Sequence, residues 1–441
     1  MRDVVVVGGG IAGLSAAWAL RDLDVVVLEA GDRAGGRIRS EPRGRYWLNF
    51  GAHVFAGPGS ATDRLLAETG VRAVGVPGIL TALELECRVV AGRRVETYPL
   101  RLPVSSRDRL AFVRTGARLR AAVARYTRTL RRGSQADVLA YDGDRSFADW
   151  LGAVPSVVDA VLRPTLQRSS AEPERLAAGY GVGYFQLVWD RSGGLARNVL
   201  GGPSRLAEAI GAELGARLRL DTRVDRVVPR PGGVRVSCAD GTVEDARFAV
   251  VATPAHVTHR IVEGLPAATA EALAAIEYGR YVVAAFRTGE RGPAPWDRIY
   301  ALSAARRSFN MVFNTANVLR PRDGAREAGG TLMAYAGASL ADRLWDVADG
   351  DVAGRFLADL DEIFPGLAAG AEEAVVCRWE HGLPYVFPGR HRLQPALERP
   401  LGRVVLAGDY LGTRYTETAI ATGRAAAQTV RTARGREEPP R

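Results

Sequence analysis

Asp3-Val4-Val5-Val6-Val7-Gly8-Gly9-Gly10-Ile11-Ala12-Gly13 is a short apolar run that breaks into glycines, and a second apolar run, Val25-Val26-Val27-Leu28, ends in Glu29. Val4 to Val7 is β-branched throughout, as expected of a strand buried on both faces of a parallel sheet. Gly8 permits the tight turn into a helix, Gly10 lets a pyrophosphate approach the backbone, and Gly13 lets that helix pack on the strand. The helix, expected over Ile11 to Leu20 and including Ala12, aims its N-terminal N–H groups and dipole at the phosphates. Glu29 falls about 20 residues after the first glycine, the offset at which an acid meets ribose hydroxyls. A glycine triplet alone discriminates little, because ordinary turns also use glycine. Strand, glycines, helix, strand and acid in register indicate a dinucleotide-binding βαβ unit.

Arg33-Ala34-Gly35-Gly36-Arg37 follows the acid, and this arginine-bearing tail points to FAD rather than NAD. The expected fold is therefore α/β. A Rossmann-like FAD-binding domain is assembled from three separated segments, residues 1–80, 199–254 and 401–433. The second segment contains Ser204 as a candidate helix cap and the strand signal Ala249 to Ala252, which ends before Pro254. The third contains Arg403-Val404-Val405-Leu406-Ala407-Gly408-Asp409 and a helical stretch from about Thr418 to Thr432. Residues 81–198 and 255–400 are expected to form an α+β substrate-binding domain, and 434–441 a flexible tail.

Composition narrows the class. At 441 residues and 47% hydrophobic content the chain is long enough for about two domains with sizeable cores. No stretch approaches the roughly 18 uninterrupted apolar residues of a membrane span. The early glycine motif leaves no room for a cleaved signal peptide. Cys87, Cys238 and Cys377 are isolated, with neither metal spacing nor a disulfide framework, so no metal is expected and a cytoplasmic setting is the default. The net charge is +10, and every one of the 59 basic residues is arginine. No nucleic-acid motif accompanies that charge, so nucleic acid is not an expected partner.

These residues resemble the flavin-containing amine oxidase superfamily, which includes monoamine and polyamine oxidases, L-amino-acid oxidases, protoporphyrinogen oxidases and phytoene desaturases. The resemblance covers nearly the whole chain, with its specific motifs in the cofactor segments. It implies that Gly36 and Arg37 meet the FAD phosphates and that Gly51-Ala52-His53-Val54 runs beside the flavin ring. The Val224 backbone is implied to pair with adenine, and Gly408 and Asp409 to meet the ribityl or phosphate region. Thr418 and Ala419 fall at a helix start facing the flavin pyrimidine edge, where a helix N-terminus suits the charge of the reduced ring. Tyr415 and Tyr385 are implied as two aromatic walls that orient a substrate amine. His53 is expected either to act as a base or ring hydrogen-bond partner, or to be a packed, satisfied histidine.

Two departures qualify the resemblance. Many members carry a lysine near the flavin N5, and this chain has none; Val283 stands near that place. Members that attach FAD covalently use a cysteine where His381 stands here, so non-covalent FAD is expected. The amphipathic stretch Arg107 to Arg132 is expected to be a solvated helix over the substrate cavity, with peripheral membrane contact as the alternative. The expected activity is hydride abstraction from a small-molecule amine or amino acid to flavin N5. Porphyrinogen-oxidase-like or desaturase-like dehydrogenation, a redox-neutral isomerase and a non-catalytic flavoprotein stay open, as does the oligomeric state.

Overall fold

The structure is a computed structural model that describes residues 1–76, 82–92, 94–189, 196–320, 327–413 and 415–437. The opening valines form β1 (Arg2–Val7), followed by α1 (Ile11–Ala19) and β2 (Val25–Leu28). Further along lie α2 (Ala61–Thr69), α3 (Ser106–Arg132), α4 (Ser156–Gln167) and α5 (Ala178–Tyr184). The middle segment supplies β3 (Leu218–Arg219), β4 (Val224–Arg230), β5 (Gly233–Cys238) and β6 (Val243–Val251). β7 (Val404–Leu406) and α6 (Tyr415–Glu437) complete the labelled elements.

One sheet has the order β3-β2-β1-β6-β5-β4, with β7 also paired to β6. β3, β2, β1, β6 and β7 run parallel, whereas β6-β5-β4 is an antiparallel meander. Three separated stretches of chain thus share one sheet, and Val4, Val5 and Val6 in its middle are fully buried. The α1 helix covers one face and packs on α6. An added Cβ at Gly423 of α6 would sit 2.1 Å from the Ala12 carbonyl oxygen, so the two helix backbones touch. Branched side chains would hold them apart.

A second sheet runs Ala371–Pro384, Tyr278–Thr288, Gly330–Gly337, Met311–Asn314, Ala301–Ala304, Ala82–Leu85, Arg88–Ala91. The helices α3, α4 and α5 lie beyond it. The stretch after residue 81 opens with a strand pair ahead of α3, and Glu84 inside it is buried and bound by Arg307.

Some boundaries differ from expectation. Ser204 does not cap its helix. Pro203 precedes the first helical turn, and the Ser204 hydroxyl donates to the Ser40 carbonyl while accepting from the Ser40 N–H. The C-terminal helix starts at Tyr415 and continues to Glu437, through half of the expected tail; residues 438–441 lie outside the described residues. Along α3, Phe112, Leu119, Val123 and Tyr126 are buried, while Leu110 and Val113 are exposed. That is the packing of a helix with one face on the core. No helix among the described residues is long and apolar enough to cross a membrane.

Candidate active site

The glycine loop has the geometry a dinucleotide requires. Gly8 sits at φ +102°, and an added Cβ at Gly13 would meet the Gly8 carbonyl oxygen at 2.0 Å. Both positions therefore exclude larger residues. Helix α1 begins at Gly10 with no side chain capping it, and a Cβ added at Gly10 would meet nothing within 4 Å. Uncapped N–H groups at a helix N-terminus beside open space suit a phosphate. The Glu29 carboxylate accepts from the Gly9 and Gly31 N–H groups, at 2.5 and 2.8 Å, and so stands at the lip of the loop. The Gly35-Gly36 turn lies against it, with the Gly35 N–H donating to the Gly9 carbonyl at 2.8 Å. These features fit the adenosine diphosphate part of FAD.

Beyond the loop, segments distant in sequence converge. Arg37 donates to Asp409 at 2.9 Å and to the Gly382 carbonyl at 3.2 Å. Trp379 Nε1 donates to the Phe50 carbonyl at 2.6 Å, and the Thr416 hydroxyl to the Val54 carbonyl at 3.1 Å. The Glu417 carboxylate accepts from the N–H groups of Ala61 and Thr62 and from the Thr62 hydroxyl, at 2.8, 3.0 and 2.6 Å. It thus satisfies orphan donors at the N-terminus of α2 and ties α6 to it.

Two adjoining cavities, of about 130 and 150 Å³, open at this convergence. Arg37, Gly51, Ala52 and His53 line the second, along with Val283, the residue near the expected lysine position. Val54, Arg168, Tyr184, Tyr415 and Thr416 line both. The walls are largely aromatic: Tyr281, Phe313, Tyr335 and Trp379 on one side, Tyr126 and Tyr180 on the other.

His53 is buried and edge-on to Phe313, with ring centroids 4.5 Å apart. Its Nδ1 lies 3.1 Å from the Gly51 carbonyl, which fixes the proton on Nδ1, and the buried Nε2 has no partner. Burial, opposed by that backbone bond and assisted by nearby Arg168, pushes its pKa down to about 4. At neutral pH His53 is therefore an uncharged imidazole with an unused lone pair. Of the two readings the sequence left open, a fully satisfied packing histidine is not what the fold places here.

Tyr415 lines both cavities. It is the first residue of α6 at φ +50°, a left-handed conformation rare for an aromatic residue. Its ring lies 5.6 Å from Tyr184 and 6.4 Å from Tyr180. Tyr385 does not oppose it. That ring is buried outside both cavities, its hydroxyl donates to Glu277, and Arg175 stacks on it at 5.5 Å. Strand Ala371–Pro384 presents Trp379, Gly382 and Leu383 to the cavity instead. Tyr385 lies just past the end of that strand, where its N–H and hydroxyl are both bound by Glu277, so its ring leaves the cavity wall.

Among the remaining expected contacts, Val224 is a buried residue at the start of β4, and Thr418 and Ala419 are buried in the first turn of α6. The Gly408 N–H donates to the Thr422 hydroxyl at 3.0 Å, which holds the segment leading to Asp409. His381, at the place of the attachment cysteine, stacks on His256 with centroids 4.0 Å apart. Arg168, Tyr184, Tyr335 and Phe313 carry no motif in the sequence, and nothing in their local pattern distinguishes them from packing residues.

Comparison with known proteins adds to this geometry. The model of the family described as flavin containing amine oxidoreductase matches residues 11–431. A flavin-containing amine oxidase of Oncorhynchus mykiss is 26% identical over 273 residues, which are 57% of this chain and 50% of that one. The chain thus spans about half the length of such curated relatives. Putrescine oxidase bound to putrescine superposes with a TM-score of 0.80 at 20% identity, covering 98% of this chain and 99% of that one. Cyclohexylamine oxidase from Brevibacterium oxydans gives 0.78 at 21%, covering 99% and 100%. At those identities the solved structures attest the fold, and the family match attests descent. The chain belongs to the flavin-containing amine oxidoreductase family.

Proposed function

We propose that this protein is an FAD-dependent oxidoreductase that oxidises the carbon–nitrogen bond of a small amine. The observation that carries the reading is the aromatic cavity that adjoins Gly51-Ala52-His53 and shares Arg37 with the cofactor segments. Gly8, Gly10, Ala12 and Gly13 would hold the pyrophosphate of FAD and Glu29 its adenosine ribose; Gly36, Arg37, Gly408 and Asp409 would meet the phosphates and ribityl chain; Gly51, Ala52, Thr418 and Ala419 the ring; Val224 the adenine. The cysteine that some relatives use for attachment is absent, so FAD is held non-covalently. When bound, FAD supplies acceptance of a hydride from the carbon next to the amine.

The chain's own residues bind, orient and exclude water. Tyr415, Tyr184, Tyr281 and Tyr335 present ring faces and edges to the substrate. Burial pushes the Tyr281, Tyr335 and Tyr415 hydroxyls up, so these three stay neutral hydrogen-bonding groups at physiological pH. His53 Nε2 offers an acceptor for a substrate N–H and keeps the amine lone pair directed along the reacting bond. No strong acid–base pair lines the cavity, and none is needed for a neutral amine.

The test is anaerobic mixing of FAD-loaded protein with a panel of primary amines, amino acids and porphyrinogens. Bleaching of the flavin band by amines or amino acids supports the reading. Bleaching by porphyrinogens alone replaces it with dehydrogenation of ring carbons, and turnover without bleaching replaces it with isomerisation.

A further inference from the structure

Arg168 brings a cation to the cavity with no counter-ion among the described residues. It follows Gln167 at the C-terminus of α4, where the helix dipole favours positive charge. The Tyr281 hydroxyl donates to its backbone carbonyl, which pins the residue against the second sheet. Its guanidinium packs on the Tyr184 face, 5.7 Å from the centroid, and reaches the Tyr335 hydroxyl. Among the described residues no carboxylate lies within ion-pair distance of it.

The acids that stand nearby are already committed. Glu172, four residues on, accepts from Arg163, Gln167 and Ser339 at 2.9, 3.0 and 2.6 Å. Glu417, on the wall of the same cavity, is held by the N-terminus of α2. Asp409 is held by Arg37. A half-buried guanidinium that meets only neutral tyrosines, and no carboxylate among the described residues, is costly unless something anionic completes its fork. A cavity with this charge also repels a second ammonium group.

We propose that Arg168 is the carboxylate-binding residue of the substrate site, and that the substrate is a small α-amino acid with an apolar side chain rather than a diamine. The inference rests on the amine-oxidation reading above for the fate of the amine, but not for the carboxylate contact. The aromatic walls take the side chain, the guanidinium fork takes both carboxylate oxygens, and His53 Nε2 accepts from the amine.

The experiment titrates FAD-loaded protein with phenylacetate and with phenylacetamide, following perturbation of the flavin band and, independently, heat release. The expected result is at least tenfold tighter binding of the anion. In Arg168→Gln that preference disappears while flavin content and melting temperature are kept, and Arg168→Lys restores part of it. Equal binding of the two probes by the unsubstituted protein overturns the proposal without reference to any variant, as does a preference that survives in Arg168→Gln. Phenylalanine and phenethylamine are then compared for anaerobic bleaching. If neither bleaches but the anion preference holds, amine oxidation falls and the carboxylate site stands. If phenethylamine bleaches and the anion preference is absent, amine oxidation stands and the carboxylate site falls.

Discussion

Arg37 and Asp409 meet at 2.9 Å although 372 positions separate them in the chain. Asp409 is nearly buried, Arg37 also bonds the Gly382 carbonyl, and Tyr278 lies beneath its guanidinium at 5.9 Å. Burial works against the charged guanidinium, but Asp409 and Tyr278 outweigh it and hold its pKa above the usual arginine value. The pair ties the loop after the first βαβ unit to the segment that follows β7.

Removing one partner leaves the other charge partly desolvated. Asp409→Ala is expected to cost about 2–3 kcal/mol, somewhat below the 3–5 typical when a fully buried pair is broken. Urea unfolding of the flavin-free protein measures it. A loss under about 0.5 kcal/mol would show that water satisfies Arg37 without Asp409.

Gly13→Ala places a Cβ 2.0 Å from the Gly8 carbonyl oxygen. That neighbour is backbone of the loop itself, so relief requires α1 to move away from β1. The expected outcome is loss of FAD retention together with about 1–3 kcal/mol of stability. The absorbance ratio of flavin to protein after gel filtration reports the first effect and thermal melting the second. Gly10→Ala meets no atom within 4 Å in the protein, so it should fold normally and lose only cofactor affinity.

His53 makes stability depend on pH in a defined direction. Its pKa is lowered from about 6.5 unfolded to about 4 folded. Between those values the unfolded chain binds the extra proton, so stability rises with pH there. The contribution is complete above pH 6.5 and is lost as pH falls through 4, with a ceiling of about 3 kcal/mol. Subtracting the unfolding profile of His53→Phe from that of the unsubstituted protein isolates it. A flat difference between pH 4 and 6.5 would refute the assignment.

Glu417 and Glu29 separate fold from cofactor. Glu417→Gln weakens the anchoring of α2 by about 1–2 kcal/mol, since a charged acceptor at a helix N-terminus is replaced by a neutral one. Glu29→Ala should instead reduce flavin content, because its carboxylate stands at the open lip of the glycine loop. Equal flavin content in Glu29→Ala and the unsubstituted protein would remove its ribose role.

The sequence by itself determined the cofactor unit. The valines of β1, the glycines of the turn, the helix and Glu29 are local in sequence, and their spacing follows from backbone geometry that no distant contact alters. Three separated stretches of chain meet in one sheet, each with its own buried-strand or helix pattern in the sequence. The substrate site was not legible there. Leu383 lies in the strand and lines the cavity, whereas Tyr385 lies just past the strand end and turns to Glu277, which only the tertiary pairing of that strand with Tyr278–Thr288 decides. His53 stood in a motif, but its neutral state depends on its burial against Phe313 and on the nearby Arg168. Arg168 is one arginine in a chain whose basic residues are all arginine. What distinguishes it is that Glu172, Glu417 and Asp409 are each bound elsewhere, a matter of three-dimensional charge pairing that linear spacing does not encode.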